Sequence, residues 1–91
     1  MKTSWVITFD LIDNGRAVMV SGPHDAPLGA AATMNHPDRV KFRMRDADGE
    51  LYYGGVLVGD NEFAPLDDFG GPNAGCTSIE IRNGRGEWEE L

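Results

Sequence analysis

One cysteine, two histidines and no long apolar run leave this 91-residue chain with few of the usual chemical tools. Cys76 has no second cysteine to pair with, so the sequence is not that of a disulfide-stapled secreted domain. No stretch approaches the ~20 consecutive apolar residues that a membrane helix needs. The N-terminal MKTSWVITFDL breaks its apolar residues at strand spacing and is followed by no small-residue cleavage site, so it reads as a strand and not a signal peptide. A cytoplasmic location is the expectation. Positive charge is scarce as well: eight basic residues against fifteen acidic give a net charge of −7. That balance opposes direct binding to nucleic acid or to an anionic membrane, and it favours a partner with a basic surface. The length leaves no room for a cofactor domain beside a substrate domain, and residues 1–91 read as a single domain with one core.

What is abundant is glycine. Twelve glycines and five prolines imply many tight turns, which suit short strands better than long helices. The best-defined unit is Arg39 to Val58. Val40, Phe42 and Met44 alternate with Lys41, Arg43 and Arg45, the period of a strand with one face on a core. Asp46-Ala47-Asp48-Gly49-Glu50 then supplies a polar turn into a second strand, Leu51 to Val58, whose central Gly54-Gly55 signals a bulge or a close approach of another backbone.

Trp5, Ile7, Phe9 and Leu11 fall on one side of a first strand, although Val6 and Ile12 blur its polar face. Asp13-Asn14-Gly15-Arg16 reads as a tight turn into a second strand, Ala17 to Val20. The connection 21–38 has room for one short helix near 27–34, starting at Pro27. Residues 59–77 carry too much apolar surface for an ordinary loop, and Phe63 and Phe69 are expected to cover an open side of the sheet. Thr77, Ile79 and Ile81 alternate in a fifth strand, and Asn83 to Gly86 turns the chain into a sixth around Trp88. The fold class is therefore mainly β: about six short antiparallel strands in three hairpins, forming a small sandwich or half-open barrel.

Three sets of side chains could carry chemistry. Arg39, Lys41, Arg43 and Arg45 form a basic strand face that would engage phosphate or an acidic partner or, on the blander reading, pair across the sheet with Glu80, Glu87 and Glu89. Tyr52 and Tyr53 are the aromatic residues on the neighbouring strand. Asp46, Asp48 and Glu50 resemble a fragment of a calcium loop, but the flanks are strands, and a plain hairpin turn accounts for them. Cys76, His24 and His36 match no metal-ligand spacing; a Cys-His nucleophile is weighed against a cysteine that is simply buried. No catalytic residue, cofactor site or metal site is assigned from the sequence.

Phe63-Ala64-Pro65-Leu66-Asp67-Asp68-Phe69-Gly70, with Gly75-Cys76-Thr77 after it, resembles a segment of small uncharacterised bacterial and phage-borne proteins, a likeness confined to residues 62–77. It implies a bacterial or phage source and no activity. In size and charge the chain also resembles small acidic phage inhibitors of restriction and CRISPR systems. The leading expectation is a non-enzymatic protein that blocks a basic partner, including one that binds nucleic acid, through Asp46, Asp48, Glu50, Asp60, Glu62, Asp67, Asp68, Glu87, Glu89 and Glu90. Its premise is that these loops gather at one end. The alternative is a small ligand- or metal-binding barrel, or an enzyme, with a pocket between loops 21–38 and 59–77 lined by His24, His36, Tyr53, Phe63 and Cys76. A third is an assembly subunit that completes its sheet through an edge strand.

Overall fold

The structure is a computed structural model that describes residues 2–11 and 16–91. Six strands, β1 (Ser4–Asp10), β2 (Arg16–Gly22), β3 (Val40–Arg45), β4 (Leu51–Val58), β5 (Ser78–Arg82) and β6 (Trp88–Glu90), form one sheet in the order β2-β1-β4-β3-β5-β6. All neighbours are antiparallel. The three hairpins expected from the alternation are present, and they are joined through β1–β4 and β3–β5. β2 and β6 lie at opposite edges, so the sheet is half-open, and a single sheet forms where a sandwich was the other option. The Asp13-Asn14-Gly15 turn lies outside the described residues. Among the described residues no helix is long and apolar enough to cross a membrane.

Strand register assigns the two faces. Trp5, Ile7, Phe42, Met44, Tyr53, Leu57 and Ile79 lie on one face and form the core with Ala64 and Cys76. Residues 59–77 cross this face from the Val58 end to Thr77, whose N–H donates to the carbonyl of Arg45. Phe69 is the plug expected of it, with its ring 5.6 Å from Trp5 and edge-on to Tyr53 at 4.9 Å. Phe63 is not. It remains exposed, because the chain at 63–65 turns Ala64 and Pro65 inward instead.

The outer face is only half covered. A short helix, α1 (Ala30–Met34), packs over β1, β2 and β4 with Thr33 buried, and the Leu28 N–H donates to Ser4 Oγ beneath it. Val6 and Ser4 are sealed by this layer. A second helical stretch goes beyond the single short helix expected: a π-helical turn at Leu66–Gly70 runs into α2 (Gly71–Ala74). Pro65 starts it with a helical backbone, and Pro72 sits in the first turn of α2, where a missing N–H costs no intrahelical bond.

One expectation about β1 is overturned. Trp5 and Ile7 face the core, but Phe9 does not follow them. Against β4 the register shifts between Ile7 and Phe9, two steps of β1 facing the single step from Gly55 to Gly54, so Thr8 is an extra residue that turns Phe9 to the outer face. Phe9 is 53% exposed, while Ile7 is fully buried. Gly55 accounts for the closeness of β1 and β4, since a Cβ there would lie 1.9 Å from the Val6 carbonyl oxygen.

Candidate functional site

Among the described residues the predicted recognition carboxylates do not form one patch. Asp60, Asp67 and Asp68 come together with Asp25, Lys2 and Asn61 around an open cleft of about 620 Å³. The cleft forms where the start of 59–77 passes the N-terminal residues and the bend at Pro23. Asp68 accepts a 3.0 Å hydrogen bond from Trp5 Nε1, which ties the cleft wall to the core. Lys2 donates to Asp25 and, foremost through that bond, holds its carboxyl below the ordinary range. Asn61 N–H donates to Thr3 Oγ1 at 2.8 Å, and the Phe63 N–H donates to Asn61 Oδ1, so the backbone of this wall is pinned.

The other predicted carboxylates lie elsewhere. Asp46, Asp48 and Glu50 sit at the β3–β4 tip, the far end of strands about 25 Å long. Asp46 Oδ1 accepts from the N–H groups of Asp48 and Glu50 at 2.9 and 2.8 Å, so this is the plain hairpin turn. Those backbone donors, the Glu50 N–H first, hold the Asp46 carboxyl low. Glu87, Glu89 and Glu90 belong to the β6 edge, four strand spacings or about 19 Å from β1. Glu62 is half-buried beside the cleft and does not line it. The premise of one acidic end therefore fails, because a hairpin that runs the length of the sheet carries its tip away from the connection that follows it.

The basic strand face also resolves. Glu80 on β5 lies across from Arg43 and accepts from Arg43 Nε at 2.9 Å and Arg45 Nε at 2.8 Å. The two guanidiniums, Arg43 first, depress the Glu80 carboxyl against a smaller effect of burial. Arg45 also donates to the Gly49 carbonyl and Arg39 to that of His36. Among the described residues Glu87 and Glu89 make no ion pair with this row; Glu89 accepts from Asn83 instead. Tyr52 and Tyr53 are not its aromatic neighbours: Tyr53 is in the core, and Tyr52 leans to Asp46, which raises its hydroxyl pKa. The aromatic residues that share the basic face are Phe9 and Trp88, with the Arg43 guanidinium 4.1 Å from the Trp88 ring centroid.

Cys76 is buried, and burial pushes its thiol up, away from nucleophilic chemistry. His24 is exposed in the 21–38 connection, and His36 Nδ1 accepts from the Asp38 N–H beyond α1, across the sheet from Cys76. The anticipated pocket between 21–38 and 59–77 exists in position, as the acidic cleft, but none of His24, His36, Tyr53, Phe63 or Cys76 lines it. Among the described residues no group of three or more His, Cys, Asp or Glu side chains is placed to hold a metal ion. No local pattern marks Asp25 as a site residue, and alternation alone places Phe9 with the core, on the opposite face from the one it occupies. No family model, curated protein or solved structure matches this chain.

Proposed function

We propose that this chain is a small acidic binding protein that occupies a basic surface of a protein partner, in the manner of phage-borne inhibitors of restriction or CRISPR systems. The observation that carries this reading is the convergence of Asp25, Asp60, Asp67 and Asp68 on one cleft with Lys2 as the opposing cation. Such a cleft receives a projecting Lys or Arg side chain, and its carboxylates steer a basic partner from a distance. The recognition surface is thus narrower than ten scattered carboxylates, and the β3–β4 tip and β6 lie outside it. Converting Asp60 and Asp67 to Lys is expected to weaken capture of a basic partner at least about a hundredfold at low salt, while Glu89→Lys leaves it within about threefold. Equal capture by all three proteins overturns the reading.

A second reading is favoured by the position of the cleft between the two long connections: a small polyamine bound by the same aspartates. Spermidine titrated into the isolated protein distinguishes the two, since a ligand of the native state raises the melting temperature without any protein partner.

A further inference from the structure

We propose that the uncovered half of the outer sheet face is a binding groove for a small planar aromatic molecule that carries an anionic group. The groove, of about 320 Å³, is independent of the acidic cleft and lies beyond the edge of α1. That volume fits one or two fused rings with a substituent.

The Thr8 bulge raises Phe9 as one wall. Trp88, packed beneath the Arg43 guanidinium, is the opposite wall, and Glu80 fixes Arg43 in turn. Gly54 is the floor. A Cβ at Gly54 would meet its nearest atoms at 3.6 Å, the Phe42 carbonyl oxygen, and 3.8 Å, Phe9 Cδ2, which are ordinary contacts. The fold therefore does not demand glycine there, in contrast to Gly55 beside it. What the absent side chain creates is depth between two aromatic walls. The lining is mainly apolar, yet Lys41 and Arg82 stand at it. Among the described residues neither has a carboxylate partner; Arg82 only approaches the Trp88 ring, at 6.0 Å.

Aromatic walls around a flat floor select a planar ring, and unneutralised cations at its edge select a negative substituent. A second copy of the chain is a poor occupant, because a face-to-face dimer would bring Lys41 and Arg82 against their own kind. A long polyanion is opposed by the net charge of −7, which a single anionic group feels far less.

The test is calorimetric titration of the full chain, at low salt, with adenosine monophosphate, with 2-naphthoate and with uncharged adenosine. Binding by the monophosphate, the naphthoate or both is expected, at least about tenfold tighter than adenosine, and the stronger arm identifies the anion as phosphate or carboxylate. Gly54→Val is expected to cut that affinity at least about tenfold without lowering the melting temperature, since a branched side chain replaces glycine inside a strand. If the valine unfolds the protein, Gly54→Ala and Lys41→Ala serve, each with a loss of about fivefold or more. Absence of binding in both anionic arms, unchanged affinity in the folded Gly54 variants, or oligo-dT binding about a hundredfold tighter than the monophosphate would overturn the proposal, the last by assigning the face to single-stranded nucleic acid.

Discussion

Replacing Glu80 with Gln tests the electrostatic logic of the sheet most directly. The substitution keeps the shape and removes one charge between two guanidiniums, whose hydrogen bonds to it are 2.9 and 2.8 Å long. The three side chains are 25%, 31% and 16% exposed for Arg43, Arg45 and Glu80, so water screens the site in part. A shielded hydrogen bond to a charged group contributes about 1.5–3 kcal/mol, and a screened pair less. The glutamine oxygen still accepts from a guanidinium but no longer offsets its charge, and leaves two cations on the same face of β3. We set the net cost at about 2 kcal/mol, which for a domain of this size lowers the melting temperature by about 8–16 °C. Thermal unfolding followed by circular dichroism reads this at neutral pH. The pH dependence supplies the control. Glu80 has its carboxyl held below its ordinary value of 4.5, so its contribution is complete above that value and fades as pH falls through the folded-state pKa. The gap between wild type and Glu80→Gln must therefore narrow on acidification. A neutral-pH difference under about 2 °C, or a gap that stays constant down to about pH 3, would refute the reasoning.

Two further outcomes follow from the core face. Gly55→Ala places a Cβ 1.9 Å from the Val6 carbonyl, forces β1 from β4, and is expected to cost about 3 kcal/mol or more in denaturant titration. Cys76, buried with its thiol raised, is expected to react with a disulfide reagent at least about a hundredfold more slowly in the native protein than in denaturant.

The three hairpins were legible because alternation of period two and turn residues such as Asp48-Gly49 and Asn83-Gly84 act within a few residues of each other. Phe69 as a plug was legible from apolar content alone, since a phenyl ring in a long connection has to find cover. Phe63 shows the limit of that argument. Identical side chains six residues apart meet different fates once Ala64 and Pro65 take the inward positions. The basic row on β3 was visible as a row, whereas the pairing of Arg43 and Arg45 with Glu80, and not with Glu87 or Glu89, depended on how β5 registers against β3.

By itself the sequence determined the class of fold, the hairpin pairing, the acidic character and the basic stripe, all properties of composition and of spacing along one strand. Tertiary structure alone decided which carboxylates meet. Strand order carries Asp46, Asp48 and Glu50 to one end of the sheet and folds Asp60, Asp67 and Asp68 against Asp25. It also decided that Phe9 faces outward, because one extra residue at Thr8 reverses every side chain after it, and a bulge is specified by the register of two neighbouring strands and not by the strand that contains it.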